Sequence, residues 1–545
     1  MCFLVRTVFY ATALPVWEGF DEWSHFAVIQ RMAFRGEELV ARDSPVSRAV
    51  KESLELGPVP WELRRLPWPS VTQDIYWRLP VEERVRRENL FKAIPAAWAK
   101  EDSIGSLRAY EALQPPLYGW LMVPVLRILN NTNIGEQVIC LRWLSLAIAS
   151  LTIPLTFLIG RSVFRDQRIG LGCAAVVACM PEFAINVARV GNECVAVVLF
   201  TVLTLLALEL VRTEIRYSRA LYLGVVLGAG LISKAYFLTA ALAIGLLLFS
   251  ALLRDSGHRL RVLGCTAIIG AVSVSISGWW YWYNLLTTRT VSGLNEAVML
   301  RERGSVEILQ RAADVRWLSA IDSIWFSHLW FGGWSSLTIR SWMYHVFYGF
   351  VLLAAAGLCR MRWKPALWVL LTIYIAFWAG QLYNVLLLFV SKGVSTSMGW
   401  YMYAVVGAEV VLCVAGLRAL CMSRFQTWIP AMGVFAFALL DLYTLNCVAI
   451  PYYTGMIAHR PNGSIAALHL EDVLRVGVPE VFKRLAIYKG DVVTESLVIA
   501  LWCAYILATG LLTVIAIRCA RAYQVGSDGL EPPSNLLRKN RTCWE

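Results

Sequence analysis

Charged residues are scarce in this chain: they make up 16% of its 545 residues, whereas hydrophobic residues make up 58%. Soluble domains carry about 25% charged residues, so this composition excludes an ordinary soluble globular protein. The mean hydropathy is +0.57, and long apolar runs recur from Leu141 to Ile517. Such runs are long enough to cross a hydrocarbon core of roughly 30 Å as helices. The composition therefore predicts an all-α, polytopic membrane protein.

The sequence also lacks the patterns that indicate zinc binding, redox chemistry or repeats. Its 13 cysteines are scattered, mainly in apolar segments, with no Cys-x-x-Cys and no Cys/His spacing that suits zinc. We interpret them as small buried hydrophobic residues. No internal repeat is evident, which disfavours a transporter built from inverted repeats.

The net charge of +12 does not have the distribution of a nucleic-acid-binding surface. Between Glu18 and Glu111 there are 14 Lys/Arg and 16 Asp/Glu, so the positive excess lies in the rest of the chain. There it forms short clusters between apolar runs, which is the positive-inside pattern of cytoplasmic loops. This distribution predicts no nucleic-acid partner.

The alternation of basic clusters and apolar runs predicts about twelve transmembrane helices plus one half-segment. A short first span comes before a long outer-face loop, 18–116, and the apolar segment 117–130 is too short to cross, so we expect a re-entrant or interfacial helix there. The tail, 526–545, is polar and contains Pro532-Pro533, which predicts disorder on the cytoplasmic side. The predicted spans lie near 3–17, 141–160, 170–190, 195–211, 220–234, 236–253, 262–283, 344–359, 366–390, 400–417, 427–448 and 495–517.

The outer-face loop 18–116 is too long to be a passive connector. It contains amphipathic stretches at Trp23–Gly36 and Pro80–Lys92, and a middle part rich in proline and tryptophan at Pro58–Pro69. We therefore expect it to fold as a module on the membrane surface.

The first candidate site follows the first span directly. Asp21 and Glu22 are adjacent carboxylates at a membrane exit, and His25 lies on the same helical face as Asp21. This pattern suits acid–base chemistry or metal binding. It also suits a helix start, because acidic residues commonly cap helices at their N-termini.

A second candidate group lies where loop 18–116 returns to the bilayer. Pro115 and Pro116 fix the backbone there, which holds Glu111, Gln114 and Tyr118 near the membrane surface. The alternative is a simple helix-start signal.

The order of these motifs resembles the GT-C superfamily of glycosyltransferases that use polyprenyl-phosphate sugars, which includes protein O-mannosyltransferases and the lipid A aminoarabinose transferase. The resemblance spans roughly residues 10–410, and each motif in it is short. The matching motifs are Asp21-Glu22-Trp23-Ser24-His25-Phe26, Pro115-Pro116-Leu117-Tyr118, Asn192-Glu193, Ser233-Lys234-Ala235-Tyr236, Trp279-Trp280-Tyr281-Trp282-Tyr283-Asn284, Ser327-His328-Leu329-Trp330-Phe331-Gly332-Gly333-Trp334 and Gly399-Trp400-Tyr401. Two departures matter: Glu193 stands where Asp is usual, and Trp400 stands where many relatives have Arg.

The resemblance implies an inverting sugar transfer at the outer face, from a polyprenyl-phosphate donor to a glycan, lipid or protein acceptor. It implies Asp21 as the general base, with Glu22 and Glu193 as further catalytic carboxylates. A phosphate leaving group needs positive charge or a metal, so a divalent cation (Mg or Mn) held by Asp21, Glu22 and Glu193 is left open. The implied substrate-binding residues are His25, Glu111, Gln114, Tyr118, Arg189, Lys234, Trp400 and Tyr401.

The resemblance also predicts a domain organisation and a location. Residues 1–410 would form the GT-C-like catalytic module, and 411–525 would add C-terminal transmembrane helices with an outer loop at 449–494. The expected location is a bacterial inner membrane, with the active site facing the periplasm and with membrane lipid as a partner. Two other functions stay open: a transporter or lipid flippase, and a polymerase or ligase of lipid-linked glycans.

Overall fold

The computed structural model describes residues 1–65, 70–212, 216–254 and 257–527. Helices dominate these residues, and short 3-10 turns lie at Trp61–Arg65, Ala96–Lys100, Tyr110–Leu113, Arg311–Asp314, Gly399–Val405 and Ser423–Phe425. The α-helices are α1 Cys2–Ala13, α2 Glu22–Arg35, α3 Arg48–Leu56, α4 Gln73–Tyr76, α5 Val81–Lys92, α6 Leu117–Ile128, α7 Ile134–Ala149, α8 Thr152–Phe164, α9 Gln167–Cys179, α10 Pro181–Val187, α11 Glu193–Arg212, α12 Tyr217–Leu231, α13 Phe237–Arg254, α14 Arg259–Thr288, α15 Asn295–Met299, α16 Ser305–Gln310, α17 Trp317–Leu329, α18 Ser341–Arg360, α19 Pro365–Lys392, α20 Val406–Leu420, α21 Trp428–Tyr443, α22 Ile450–Tyr453, α23 Leu470–Val476, α24 Val478–Ala486 and α25 Glu495–Ser527.

The predicted all-α membrane fold is confirmed. Within the described residues, nine helical segments are long and apolar enough to cross a membrane, and a tenth is formed if the bent pair α9 and α10 counts as one span. The short apolar helices α1 and α12 occupy two further positions at which the sequence predicts a span. Helix α6 has 12 residues, about 18 Å at 1.5 Å per residue, so it is shorter than the hydrocarbon core.

One predicted span differs from a regular helix. The segment 170–190 is divided into α9 and α10, which meet at an angle of 67°. Pro181 stands at the start of α10 and has no N–H to continue the hydrogen bonds of α9, which explains why the helix breaks there. The bend directs the chain toward Arg189 and Glu193.

Loop 18–116 is folded, with helices at both predicted amphipathic stretches. Its interior is apolar and includes the buried side chains of Phe26, Val50 and Phe91. Ser47 caps α3 by accepting a hydrogen bond from the Val50 amide, and the Trp17 indole donates to the Ser53 hydroxyl at 3.1 Å. Part of the proline- and tryptophan-rich stretch, 66–69, lies outside the described residues.

The first helix is held inside the bundle by a buried ion pair. Arg6 lies 2.7 Å from an oxygen of Asp441, and both side chains are fully buried. The hydroxyls of Tyr10 and Tyr505 donate to the same carboxylate, at 2.6 and 2.9 Å. This network joins α1 to α21 and α25, which are distant in sequence.

Of the predicted disordered tail, 526–545, residues 528–545 lie outside the described residues.

Candidate functional site

Five chain segments meet at one end of the helix bundle and carry the candidate site. They are the turn before α2, the 3-10 turn before α6, the α10–α11 turn, the α12–α13 turn and the 3-10 turn before α20. The contacts described below join these turns through polar side chains. The helices fix the positions of the turns, while the turns place carboxylates and cations beside one another.

Asp21 is the partly exposed carboxylate at the start of α2. Its backbone is in the left-handed region with φ 57°, a conformation that Asp tolerates better than most residues. Gly19 is required just before it, because a Cβ there would lie 2.5 Å from the Cβ of Arg189. The Tyr110 hydroxyl donates a hydrogen bond to Oδ1 of Asp21. The turn thus holds one acidic group at the surface of an otherwise buried cluster.

Glu22 is next in sequence but has a different environment. Its two carboxylate oxygens accept hydrogen bonds from Nε and Nη2 of Arg142 at 2.7 and 2.6 Å, and both side chains are fully buried. The Val190 amide donates to the same carboxylate at 3.0 Å. Arg142 also donates to backbone carbonyls at the end of α1, those of Ala11, Leu14 and Pro15. Glu22 therefore joins α2 to α1, α7 and the α10–α11 turn.

Glu193 is buried between two cations. Nη2 of Arg189 lies 2.6 Å from its Oε2, and Nζ of Lys234 contacts its Oε1. Lys234 also donates to Oδ1 of Asn192 at 3.1 Å, and Arg189 donates to the backbone carbonyl of Phe20, just before Asp21. Two cations therefore share one carboxylate next to the Asp21 turn. Burial and the charge of Arg189 both lower the pKa of Lys234.

Glu111 and His25 form a pair beside this cluster. His25 Nε2 lies 3.3 Å from Oε2 of Glu111. Burial, followed by the charge of Asp21, raises the pKa of Glu111 to about 8. Burial and the charges of Arg189 and Lys234 lower the pKa of His25. Both shifts favour the neutral forms of the two side chains.

A cleft of about 500 Å³ opens beside the Glu111–His25 pair. The backbone conformation set by Pro115 and Pro116 places Gln114 in its wall, and Gln114 hydrogen-bonds to Glu111. The polar and aromatic residues that line it include His25, Glu38, Glu111, Gln114, Trp280 and Tyr283. Carboxyl and amide groups opposite aromatic rings form a surface that suits a polyhydroxylated ligand.

The remaining predicted site residues divide into two groups. Tyr401 faces the cluster, because Nζ of Lys234 lies 5.1 Å from its ring centroid. Trp400 stacks on Phe20 with ring centroids 3.7 Å apart, so it packs the turn before Asp21. The Tyr118 hydroxyl contacts Ser145 at 2.9 Å and accepts a hydrogen bond from the Gly191 amide. Trp400 and Tyr118 thus support the turns that carry the charged groups.

Two residues of the site are absent from the sequence-based prediction. Tyr110 adjoins Glu111, but no spacing rule indicates that its hydroxyl reaches Asp21. Arg142 carries a signal that sequence reasoning missed: an arginine inside the apolar run 141–160 requires a buried partner. That partner is Glu22.

The three carboxylates considered for a divalent cation do not fit one. Glu22 forms an ion pair with Arg142, and Glu193 forms ion pairs with Arg189 and Lys234. Among the residues that the structure describes, no cluster of three or more His, Cys, Asp or Glu side chains is arranged to hold a metal ion. The chemistry proposed below is therefore assigned to side chains alone.

One family model and two solved structures are similar to this chain. Residues 113–282 match the family model described as dolichyl-phosphate-mannose-protein mannosyltransferase, in agreement with the resemblance of the motifs to the protein O-mannosyltransferases. Two solved structures of ArnT from Cupriavidus metallidurans, one bound to undecaprenyl phosphate and one in the apo state, align with TM-scores of 0.45 and 0.44 at 13% and 14% identity. Each alignment covers 96% of this chain, and 76% and 75% of the respective ArnT chains. No match was found among curated proteins.

Proposed function

We propose that this membrane protein is a GT-C glycosyltransferase that transfers a sugar from a polyprenyl-phosphate donor to an acceptor hydroxyl, with inversion at the anomeric carbon and with Asp21 as general base. The matched family is named for a sugar carried on a lipid phosphate, which supports this donor class. The acceptor is a glycan, a lipid or a protein. The proposed location is a bacterial inner membrane, with the site at the periplasmic face.

The contrast among the acidic residues carries the assignment of Asp21. Glu22 and Glu193 are buried and committed to cations, and Glu111 has a raised pKa. Asp21 is partly exposed and accepts a hydrogen bond from Tyr110. A general base must reach the proton it removes, and Asp21 is partly exposed whereas Glu22 and Glu193 are buried.

The proposed reaction balances as follows. The acceptor oxygen attacks the anomeric carbon from the face opposite the phosphate and forms the new C–O bond. The bond from the anomeric carbon to the phosphate oxygen breaks, and its electron pair leaves with the polyprenyl phosphate. The acceptor proton passes to Asp21. The leaving phosphate gains one negative charge, so cations beside it lower the barrier.

Arg189 and Lys234 are the cations in position to stabilise that charge. They share Glu193, and, against the effect of burial, the charge of Asp21 also raises the pKa of Lys234. An arriving phosphate would add an anion beside the two cations and would favour the charged form of Lys234. We assign Glu193 the role of positioning both cations, and Glu22 the role of fixing the α2 start through Arg142.

The test is mass spectrometry of envelope glycans, glycolipids and glycoproteins from a strain that lacks the gene. The strain is complemented with the natural protein, Asp21→Asn or Asp43→Asn, a control that changes an exposed carboxylate of the same loop. We expect one sugar to disappear in the deletion and to return with the natural protein and the control but not with Asp21→Asn. The class of molecule that loses the sugar identifies the acceptor.

Three results would contradict the proposal. Full complementation by Asp21→Asn would show that the base is another residue. Movement of an unaltered labelled lipid across liposomes by the purified protein, without sugar transfer, would favour the flippase alternative. Transfer of a whole glycan chain rather than one sugar would favour the ligase alternative.

A further inference from the structure

A large apolar groove lies along helix α20 and shares no lining residue with the cleft beside the Glu111–His25 pair. It encloses about 1830 Å³ and is lined mainly by side chains of α17, α18, α20 and α21. Along α20 its lining extends from Glu409 to Cys421, which are twelve positions apart and therefore about 18 Å apart at 1.5 Å per residue. This length is more than half of a hydrocarbon core of roughly 30 Å. The groove thus has the length and polarity of a site for a lipid chain.

Helices α18 and α20, which both line the groove, pack closely against each other. A Cβ on Gly416 would meet the backbone of Ala354, and one on Gly357 would meet the backbone of Gly416. Small residues allow helices to approach closely inside a membrane. The larger side chains of Phe347 and Phe437, whose ring centroids lie 4.9 Å apart, line the groove.

The groove has one polar end, formed by His328 and Glu409. Nε2 of His328 lies 3.0 Å from Oε1 of Glu409, and Nδ1 lies 3.1 Å from the carbonyl oxygen of Gly399. A carbonyl can only accept, so Nδ1 carries a proton. The neighbouring Glu409 carboxylate raises the pKa of His328 against the effect of burial. The imidazole thus bridges Glu409 and the Gly399 carbonyl.

The second oxygen of this carboxylate has no partner. Oε2 of Glu409 is buried and accepts no hydrogen bond in the described residues, the side chain of Glu409 is 7% exposed, and the residue lines the groove. An unpaired carboxylate oxygen in an apolar environment costs free energy unless a donor reaches it. The groove therefore combines a long apolar wall with one unsatisfied acceptor at its end.

We propose that this groove binds a long-chain lipid whose polar end donates a hydrogen bond to Oε2 of Glu409 through a hydroxyl group. The chain would lie along α20, and the donor group would meet the His328–Glu409 pair. A lipid phosphate does not fit this end, because its negative charge would face the carboxylate. The site is thus distinct from the proposed donor site at Arg189 and Lys234, and it does not depend on the transfer reaction.

Photo-crosslinking of the full-length protein in liposomes tests this site. The probes are a long-chain alcohol that carries a diazirine in its chain and the corresponding methyl ether, which lacks the donor hydrogen. Labelled positions are mapped by peptide mass spectrometry. We expect the alcohol to label groove residues about tenfold more than the ether, since a hydrogen bond to a charged group is among the stronger ones. Equal labelling by both probes would overturn the proposal.

Three variants make the test specific. Ala436→Phe fills the groove, and we expect it to abolish groove labelling, whereas Ala356→Phe adds the same bulk to an exposed position of α18 outside the groove and leaves labelling unchanged. Glu409→Gln can keep an oxygen toward His328 and turn its NH₂ group toward the groove, so we expect the preference for the alcohol to disappear. Unchanged labelling in Ala436→Phe, or an unchanged preference in Glu409→Gln, would contradict the proposal.

Discussion

Asp21 and Glu22 are adjacent in sequence but have opposite environments. Glu22 is fully buried, and both of its oxygens are bound by the guanidinium of Arg142. Asp21 is partly exposed and accepts a hydrogen bond from the Tyr110 hydroxyl. The comparison indicates that one carboxylate supports the fold and the other is available for chemistry. The difference comes from the start of α2, which directs consecutive side chains to different surroundings.

The largest expected effect separates these two roles. Asp21→Asn removes the proposed base, so we expect the transfer rate to fall by about 10³-fold with an unchanged unfolding temperature. Glu22→Gln leaves the buried Arg142 without its anion, so we expect a loss of about 3–5 kcal/mol of stability. Initial rates and thermal unfolding in detergent measure the two effects.

A paired substitution is the control for this comparison. Replacing both Glu22 and Arg142 with Met removes the buried charges together, and we expect it to recover part of the stability that Glu22→Gln loses. An Asp21→Asn protein that unfolds as easily as Glu22→Gln would contradict the separation of roles.

Lys234 extends the comparison to the cations. Lys234→Gln leaves Glu193 with Arg189 alone, so less positive charge faces the leaving phosphate, and we expect kcat/KM for the lipid-phosphate donor to fall about 10- to 100-fold. The control is Lys392→Gln, because Lys392 pairs with Glu296 at 2.6 Å but is 46% exposed, and surface pairs contribute little. Equal kinetics for both variants would remove Lys234 from the site.

Glu111 gives a pH-dependent prediction. Its pKa is about 8 in the folded protein against an ordinary value of 4.5, so the folded state binds more protons than the unfolded state between these values. Stability is then fully present below about pH 4.5 and is lost as the pH rises to about 8. We expect Glu111→Gln to reduce the fall in unfolding temperature across this window. Glu38→Gln, at an exposed position of the same cleft, should keep the fall seen in the natural protein.

The smallest expected effect concerns Tyr110. Tyr110→Phe removes the hydroxyl that orients Asp21, and we expect kcat to fall about tenfold or less with little change in donor KM. Tyr283→Phe removes a hydroxyl from the neighbouring cleft and serves as the control. A kcat for Tyr110→Phe equal to that of the natural protein would show that the hydrogen bond does not position the base.

The sequence was sufficient for much of the architecture. Apolar length predicts the segments that become helices, and all twelve predicted span positions are occupied by helices. The amphipathic periodicity of Trp23–Gly36 and Pro80–Lys92 predicts α2 and α5. The 67° bend before α10 was not predicted, because a hydropathy average over a whole span does not detect a break at one residue. Pro181 is nevertheless a local signal for this bend.

The candidate site was predicted in its composition but not in its pairing. The motifs indicated Asp21, Glu193 and Lys234, the segment before Pro115-Pro116 added Glu111, and the outer-face turn added Arg189; the structure brings their turns together. The sequence did not indicate that Arg189 and Lys234 share Glu193, or that Trp400 packs on Phe20. Their roles in catalysis and binding stay predictions, as does the proposed division of the chain near residue 410.

By itself, the sequence determined where the chain forms helices, because hydrophobic length and helical periodicity are local properties. It also determined which charged residues stand at helix ends, since the apolar runs leave few other places for them. Only the tertiary structure decided what each charge does. The pairing of Glu22 with Arg142 joins residues 120 positions apart, and the vacant Oε2 of Glu409 depends on His328 from another helix. Such roles arise from burial and from the number of donors within reach, and both are set by packing.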